Sequence, residues 1–408
     1  MKKNIIIIGG SFFNKGAEAM TYAVVDQLKQ NHPDSNIVLF DYHPTLTEEH
    51  KQRYAFEIVE LTFPHLFRLT RSVGIALSGS FIIKKNIKKL LGRGIHIKVD
   101  MKKIVDILSN TELIVDISGY GLSAHYQPLI ESLAYLMNIK LAQLFNIPYI
   151  ILPQTLGHFK FSYLKGIFLT KSLLKYIHYP KYIFTREIKS FGFVREIRKA
   201  NVFREPDIVL QTGKYNLENI FKTPPASLVQ RENIGDNYIV VIPNIRLTKI
   251  TSEKIVMRIY SSVIKAALSF NRRVVILRHS MDDCHICNKL KSLYTQQDVI
   301  LMNENYYPFE LENIISNSEI VISSRYHGLV HAMENNVPVI AIGWADKYAD
   351  IMKELGLEKY NVDVNKAVDA LISDRIRELL RESNDVRAIL HKKITAIQKN
   401  NIFLRYNI

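Results

Sequence analysis

The stretch 319–343, EIVISSRYHGLVHAMENNVPVIAIG, has a strand–helix–strand pattern that restricts the folds open to this chain. Its short, mostly β-branched runs at 320–322 and 337–342 are typical of strands buried in a parallel sheet. Ser323 or Ser324 would cap the helix between them. A unit of this kind predicts an open α/β domain whose ligands bind at the carboxyl edge of the strands.

Arg325 and His327 lie where the first of these strands becomes the helix. Free backbone N–H groups and the positive end of the helix dipole favour an anion at such a turn. Arginine can bind that anion, and histidine can transfer a proton near neutral pH. The alternative is a solvated arginine beside a structural histidine. We expect His331, one turn further along, to be a helix-face histidine.

Length and charge narrow the classes of protein and partner. A chain of 408 residues exceeds one typical hydrophobic core and predicts two domains. The formal net charge of +15 indicates acidic partners. Because no recognisable RNA- or DNA-binding module is present, we expect small anions and a membrane surface rather than nucleic acid.

Short apolar runs continue the α/β pattern on both sides of a segment that contains Pro224, Pro225 and Gly235. Such residues break regular structure and mark a linker. The predicted fold class is therefore α/β with two Rossmann-like domains. The expected boundaries are an N-terminal α/β domain at 1–211, a linker at 212–236, a C-terminal α/β domain at 237–373 and a helical tail at 374–408.

A lysine-rich segment runs from Lys84 to Lys103 and mixes basic residues with Ile and Leu. It is either a solvated helix face or a basic amphipathic surface that contacts an anionic membrane. No stretch approaches the ~18 to 20 apolar residues of a spanning helix, and no secretory leader is recognisable. We expect a cytoplasmic protein, with peripheral contact at the inner face of the membrane as the alternative that this segment raises.

Cys284 and Cys287 form a C-x-x-C pair close to His279, Asp282 and Asp283. A structural zinc site ordinarily needs a second ligand pair of similar spacing, and the sequence has none. We predict an incidental thiol pair, no metal and no cofactor, although metal binding at the two cysteines stays open.

Two further strand ends carry residues suited to a ligand. The apolar run 113–117 leads to Gly119, and a glycine after a strand lets the backbone approach a ligand closely. The run 183–185 leads to Arg186, a second arginine at a strand-to-helix edge.

Six pieces of the chain, between about residue 5 and residue 360, resemble the polysaccharide pyruvyl transferase family. They are GGSFFNKGAEAM, ISGYG, PQTLGHF, FTREIKS, PDIVL and VISSRYHGLVHAMENNVPVIAIGWADKY. Members of this family move the enolpyruvyl group of phosphoenolpyruvate onto two hydroxyls of a sugar and form a cyclic pyruvate ketal. The resemblance implies a GT-B-like architecture with an interdomain cleft and a donor-binding C-terminal domain.

The resemblance also implies roles for single residues. Arg325 and His327 match the family's Arg-x-His, and Arg186 matches its arginine in the middle of the chain. His158 looks like a second histidine of the family. The other positions expected at the substrate are Gly9, Gly10, Asn14, Gly119, Ser324 and Lys347.

The expected reaction suits these residue types. Phosphoenolpyruvate carries a phosphate and a carboxylate, and guanidinium groups bind both in bidentate fashion. Ketal formation needs a proton at the methylene carbon and the removal of one from a sugar hydroxyl, tasks that suit histidine. We hypothesise that Arg325 and Arg186 hold the donor, and that His327 transfers protons with His158 as its counterpart. The acceptor would be a sugar of a cell-surface polysaccharide or of its lipid-linked oligosaccharide precursor.

Two other functions stay open. A nucleotide-sugar glycosyltransferase of the same two-domain shape is one, because Glu334 precedes Asn-Asn-Val-Pro much as a ribose-binding glutamate does in those enzymes. A glycan-assembly protein that binds without reacting is the other. The acceptor sugar, its hydroxyl pair, the stereochemistry of the ketal and the oligomeric state are left undetermined.

Overall fold

The computed structural model describes residues 2–70, 100–124, 127–161, 163–227, 234–295 and 297–408, with the backbone alone at 163–165. Most of the predicted lysine-rich surface, from Lys84 to residue 99, lies outside these residues. Its last two basic residues, Lys102 and Lys103, lie on a described helix, where Lys103 pairs with Glu57 at 2.7 Å.

The chain divides into two compact units. Unit 1 comprises Met1–Phe12, Val24–Pro206 and Tyr215–Pro224, and unit 2 comprises Phe13–Ala23, Asp207–Lys214 and Pro225–Ile408. The predicted linker at 212–236 therefore includes residues of both units, and it contains a short helix, Leu217–Ile220.

Unit 1 is a parallel sheet of seven described strands with its helices. The strands are β1 (Asn4–Ile8), β2 (Asn36–Asp41), β3 (Glu57–Glu60), β4 (Thr111–Asp116), β5 (Tyr149–Gln154), β6 (Tyr182–Thr185) and β7 (Val202–Arg204). The described helices are the second half of α1 (Lys15–Asn31), α2 (Glu48–Lys51), α3 (Phe63–Thr70), α4 (Met101–Ser109), α5 (Leu129–Leu144), α6 (Tyr163–Tyr176), α7 (Ile188–Ile197) and α9 (Leu217–Ile220).

The order of the strands in unit 1 is β3-β2-β1-β4-β5-β6-β7. Strand β1 pairs in parallel with β2 and β4, and its four isoleucines, 5–8, are fully buried. Burying each isoleucine contributes about 1.5–3 kcal/mol, which explains why so short a strand forms the centre of the sheet. The strand order reverses between β1 and β4, the position at which open α/β sheets bind ligands.

Unit 2 repeats this arrangement with six described strands. They are β8 (Tyr238–Ile242), β9 (Arg273–Leu277), β10 (Val299–Met302), β11 (Ile320–Ser323), β12 (Val339–Gly343) and β13 (Asn361–Asp363), in the order β10-β9-β8-β11-β12-β13. The described helices are the first half of α1, α8 (Ile208–Thr212), α10 (Glu253–Ser269), α11 (Cys284–Ser292), α12 (Pro308–Ser316), α13 (Tyr326–Glu334), α14 (Asp346–Glu354), α15 (Asp369–Arg381), α16 (Ser383–Lys399) and α17 (Ile402–Tyr406).

The strand–helix–strand prediction for 319–343 is confirmed by β11, α13 and β12. Strand β11 pairs in parallel with both β8 and β12, so its carboxyl end lies at the switch point of this sheet, between β8 and β11. None of the described helices combines the length and apolar composition that crossing a membrane requires.

Candidate active site

Arg325 forms the junction between β11 and α13 in unit 2. It is the N-cap residue, with extended backbone, and its side chain makes no capping hydrogen bond. The Ser323 hydroxyl shapes the turn, because it accepts a hydrogen bond from Arg325 N at 3.0 Å and donates one to Arg325 O at 2.9 Å. The predicted serine cap was therefore wrong: Ser323 ends the strand and its hydroxyl bonds the backbone two residues on.

Ser324 is completely buried behind this turn. Its hydroxyl bonds the hydroxyl of Tyr260. Its carbonyl accepts hydrogen bonds from Asn244 Nδ2 at 2.7 Å and from the Tyr348 hydroxyl at 2.6 Å. These are the contacts of a residue that holds the turn in place.

The guanidinium of Arg325 forms a two-pronged ion pair with Asp283. Nε donates to Oδ2 at 2.8 Å and an Nη donates to Oδ1 at 2.6 Å. The Asp283 side chain is fully buried, and that of Arg325 is 12% exposed. Burial lowers the pKa of Arg325, but Asp283 outweighs burial and leaves that pKa raised. The arginine is therefore charged at any physiological pH and is held with one edge towards Asp283.

His327 lies beside a second buried carboxylate. Its Nε2 is 3.7 Å from Oδ2 of Asp207, whose side chain has no exposed surface. Asp207 is itself held in place, because it caps α8 and its Oδ1 accepts a hydrogen bond from Val209 N at 3.1 Å. A carboxylate this close to an imidazole stabilises the protonated ring.

The imidazole of His327 also packs directly on the backbone of Gly16 at the start of α1. A Cβ at this position would lie 2.3 Å from both Cγ and Nδ1 of His327. Only glycine leaves room for the ring, so Gly16 defines one wall of the position that His327 occupies.

Asn14, predicted at the substrate, is the residue just before α1. Its Oδ1 accepts a hydrogen bond from Ala17 N at 2.9 Å, so the side chain caps the helix. The same residue forms a β-bridge with Ser280, after the end of β9. These contacts bring residues 13–23 against the strand ends of unit 2.

His279 is buried beneath this arrangement, with 2% of its surface exposed. Its carbonyl accepts a hydrogen bond from Lys15 N at 3.3 Å, and its ring lies 5.5 Å from that of His331. Burial, followed by the charges of His331, Arg325 and His327, lowers the pKa of His279 well below its usual range. His279 is therefore neutral near pH 7.

Lys347 places a second cation near the first turn of α13. Its Nζ lies 5.3 Å from the ring centre of Tyr326, 5.6 Å from that of Trp344 and 5.7 Å from that of Tyr348. The Tyr326 ring in turn meets the His327 ring edge-on at 5.4 Å.

Arg186 lies at the carboxyl edge of the sheet in unit 1 and is 5% exposed. Its guanidinium contacts Glu187 at 3.1 Å, the Thr155 hydroxyl at 3.0 Å and the Gly119 carbonyl at 3.1 Å. Gly119 has φ +66°, a conformation that favours glycine. Arg186 thus ties together the ends of β4, β5 and β6.

The remaining predicted residues of unit 1 lie along the same edge. His158 is exposed, and its ring packs against that of Phe193 with the ring centres 4.3 Å apart and the planes tilted by 44°. Gly9, at φ +84°, follows β1 where a Cβ would lie 2.3 Å from Ser118 Oγ, and Gly10 beside it is buried. The predicted residues therefore fall into two groups, one at the strand ends of each unit.

One family model covers most of these residues. The sequence model described as polysaccharide pyruvyl transferase matches residues 14–346, most of the chain, including Arg186, Arg325 and His327. The chain belongs to the polysaccharide pyruvyl transferase family. The resemblance found in the sequence is confirmed.

One curated relative is the amylovoran biosynthesis protein AmsJ of Erwinia amylovora. It is 25% identical over 156 residues, which are 34% of this chain and 37% of AmsJ. The chain thus aligns with little more than a third of that relative's length.

Solved structures share the fold of this pyruvyl transferase family member at low identity. The UDP-GlcNAc 2-epimerase of Methanocaldococcus jannaschii has a TM-score of 0.56 and 12% identity, with 92% of each chain covered. The UDP-GlcNAc 2-epimerase of Neisseria meningitidis bound to UDP-GlcNAc has a TM-score of 0.54 and 14% identity, over 95% of this chain and 94% of the other. They confirm the predicted α/β class with two Rossmann-like domains of GT-B type.

Three positions beside the family's Arg-x-His were not predicted at the site: Asp207, Asp283 and Gly16. Asp207 lies in the PDIVL piece that supports the family resemblance. That piece is the sequence signal that could have placed Asp207 at the site. In the sequence, Asp283 stands out only as a neighbour of the two cysteines. Gly16 follows Lys15 at the start of a helix, where nothing in the sequence shows what packs against it.

The two cysteines show no shared ligand geometry. Cys284 is half-buried and its Sγ accepts weak hydrogen bonds from Asn288 and Asn303 at 3.5 and 3.4 Å. Cys287 is buried, and burial raises the pKa of its thiol. A thiol that resists ionisation is a poor metal ligand.

Proposed function

We propose that this chain transfers the enolpyruvyl group of phosphoenolpyruvate onto two hydroxyls of a sugar and forms a pyruvate ketal. The acceptor belongs to a cell-surface polysaccharide or to its lipid-linked precursor. Family membership supports the reaction class and a sugar acceptor. The observation that carries the assignment is the pairing of His327 with buried Asp207, two residues from the Arg325–Asp283 ion pair.

Arg325 is proposed to bind the anionic donor with the part of its guanidinium that Asp283 leaves open. Asp283 engages Nε and one Nη, and the other Nη forms no hydrogen bond within the described part of the chain. The first turn of α13 adds the positive end of its helix dipole. Lys347, held among three aromatic rings, supplies further positive charge.

His327 is proposed to be the acid–base group, with Asp207 holding its ring and favouring its protonated form. Protonation of the methylene carbon of phosphoenolpyruvate makes C2 electrophilic, and a sugar hydroxyl adds there as it loses its proton. Inorganic phosphate then leaves, and the second hydroxyl adds at C2 and loses its own proton. One of the two released protons replaces the proton given to the methylene carbon, and the other leaves on phosphate.

The residues of unit 1 have supporting roles in this proposal. The guanidinium of Arg186 is occupied by Glu187, Thr155 and Gly119. We therefore propose that Arg186 chiefly positions this strand edge and contacts the donor only secondarily. His158 is exposed and is the proposed counterpart of His327. In unit 2, Asn14 positions the start of α1, and with it Gly16.

The alternative of a nucleotide-sugar donor requires Glu334 to bind the ribose. The surroundings of Glu334 do not favour that role. Glu334 is 9% exposed. Burial, then the charges of Glu312 and Asp207, raise its pKa well above its usual range. A ribose-binding glutamate must be ionised and must reach the sugar hydroxyls.

Thermal-shift measurements with phosphoenolpyruvate, UDP-sugars and GDP-sugars separate these donors. We expect phosphoenolpyruvate to raise the melting temperature and the nucleotide sugars to leave it unchanged. Stabilisation by a nucleotide sugar alone would overturn the donor assignment.

Turnover is then measured with phosphoenolpyruvate and a polysaccharide whose ketals have been removed by mild acid. Phosphate release and the ketal methyl signal in proton NMR report the reaction. His327→Gln should lose most of the rate, since general acid–base catalysis contributes ~10²- to 10⁴-fold, and exposed His391→Gln should lose none. Binding of phosphoenolpyruvate without any turnover on such acceptors would favour the non-catalytic function.

A further inference from the structure

Three side chains that the proposed reaction does not use meet inside unit 2. They are His331 and Glu334 on α13 and Glu312 on α12. His331 and Glu334 are three residues apart on one helix and therefore lie on the same face. One potential ligand atom from each of the three residues lies within 4.8 Å of the other two.

His331 has no exposed surface, and within the described chain neither of its ring nitrogens makes a hydrogen bond. Its Nδ1 is 3.2 Å from Glu312 Oε1, close enough for an ion pair but outside hydrogen-bond geometry. Oε2 of Glu334 is also buried without a hydrogen-bond partner among the described residues. Buried polar atoms without partners cost about 1–3 kcal/mol each, and these three belong to two residues that cluster with Glu312, which indicates something that binds there.

The donor atoms select the chemical class of that ligand. Metal binding displaces the protons of its ligands, so the two carboxyl groups and the imidazole would offer two negative charges and lone pairs, which match a divalent cation. A mixed nitrogen and oxygen set favours Zn²⁺ or Mn²⁺, because Mg²⁺ and Ca²⁺ prefer oxygen ligands alone. We propose that Glu312, His331 and Glu334 bind one divalent transition-metal ion of the Zn²⁺ or Mn²⁺ class.

The spacing requires the side chains to move closer on binding an ion. Bonds of about 2.0–2.2 Å place two ligands of one ion at most about 4.4 Å apart and about 3.3–3.6 Å apart at a tetrahedral angle. A separation of 4.8 Å must therefore contract by about 0.4–1.5 Å, within the reach of glutamate rotamers. The Glu312 side chain is 12% exposed, which gives an ion a path of entry from solvent. The ion would join α12 to α13, the helix that carries His327.

The position of the proposed ion makes it a structural one. His331 lies one helical turn beyond His327, so an ion bound there would fix the helix without touching the proposed donor. The test therefore uses binding and stability, which do not depend on the proposed transfer reaction.

The experiment uses the full chain after chelator treatment and dialysis. Mn²⁺ binding is followed by electron paramagnetic resonance, with electron spin-echo modulation to detect a coordinated imidazole nitrogen, and Zn²⁺ binding by calorimetry. We expect one ion per chain, a melting temperature that rises on adding either ion, and little response to Mg²⁺ or Ca²⁺.

Matched variants locate the site. Glu312→Gln and His331→Gln should weaken binding at least tenfold, and His331→Gln should also remove the nitrogen modulation. Glu358→Gln, an exposed carboxylate elsewhere in unit 2, should bind like the parent. Cys284→Ser should also bind like the parent, which separates this site from the two cysteines.

Two outcomes overturn the proposal. One is equal binding by the parent and by Glu312→Gln, with circular dichroism showing both folded. The other is a parent that does not respond to Zn²⁺ or Mn²⁺ while metal-free Glu312→Gln melts higher than the parent. The second result would mean that a shared proton, rather than an ion, joins the two carboxylates.

Discussion

Arg325 and Asp283 face each other across the carboxyl edge of the sheet in unit 2, joined by hydrogen bonds of 2.8 and 2.6 Å. Asp283 precedes α11 after β9, and Arg325 precedes α13 after β11, so the pair connects two strand ends on either side of β8. Asp283 also accepts a hydrogen bond from Ile245 N at 3.0 Å, after β8. One carboxylate thus fixes three loops and orients the arginine proposed to bind the donor.

Asp283→Asn should destabilise the fold, because it leaves the guanidinium of Arg325 buried without its counter-charge. Removing one partner of a buried pair costs up to about 3–5 kcal/mol. Urea unfolding measures the loss, and Asp282→Asn, the exposed neighbouring residue, is the matched control. Equal unfolding midpoints for the two variants would show that the pair contributes nothing to stability.

Arg325→Ala should weaken phosphoenolpyruvate binding by about 2–5 kcal/mol, the range for losing a desolvated charge pair. The same change leaves Asp283 buried without its counter-charge. Binding is therefore also measured in Arg325→Ala combined with Asp283→Asn, which removes both charges. Calorimetry should show weak binding in both variants and parental binding in Arg377→Ala, an exposed arginine. Parental affinity in the double variant would exclude Arg325 as a donor ligand.

Asp207→Asn should lower the rate through His327. The carboxylate favours the protonated imidazole, so its loss should move the basic limb of the pH–rate profile to lower pH. Because the two residues act as a unit, Asp207→Asn should add little to the loss already caused by His327→Gln. If the rate losses of the two single variants multiply in the double variant and the pH–rate profile does not shift, Asp207 takes no part in the proton transfer by His327.

The hydrophobic pattern alone predicts the framework of this site. Runs such as 5–8 and 320–322 are fully apolar because both faces of a central parallel strand are buried, so the strands and their carboxyl ends follow from local sequence. Arg325 and His327 are predictable for the same reason, since they follow directly after such a run.

The partners of these residues are not predictable in the same way. Asp207 is 120 residues from His327 in sequence, and Asp283 is 42 residues from Arg325. Which carboxylate faces which cation depends on the strand order and on the packing of α8 and α11. Neither can be predicted from a local sequence pattern. The serine cap failed similarly, because the Ser324 hydroxyl bonds Tyr260, a residue distant in sequence.

His279 should make the stability of the protein sensitive to mild acid. Its pKa is lowered well below 6.5 in the folded state, so folding favours the neutral ring. That contribution is complete above pH 6.5 and is lost as the pH falls from 6.5 towards the folded-state pKa, by up to about 1.4 kcal/mol per pH unit. Unfolding free energies from pH 7.5 to 5.5 should therefore fall more steeply in the parent than in His279→Gln. Exposed His391→Gln should follow the parent, and parallel curves for all three proteins would contradict the assignment.

Gly16→Ala tests whether the proposed catalytic histidine depends on the space beside it. The added methyl would lie 2.3 Å from Cγ and Nδ1 of His327, so the imidazole must move away from its position near Asp207. Overpacking of this kind costs about 1–3 kcal/mol, and the rate should fall towards that of His327→Gln while phosphoenolpyruvate still binds. Gly192→Ala is the matched control, because beyond its chain neighbours and the backbone of its own helix α7 no described atom lies within 4 Å of the new methyl. That change should stabilise its helix by up to about 1 kcal/mol and leave turnover unchanged. Parental turnover in Gly16→Ala would mean that His327 does not act from its position between Gly16 and Asp207.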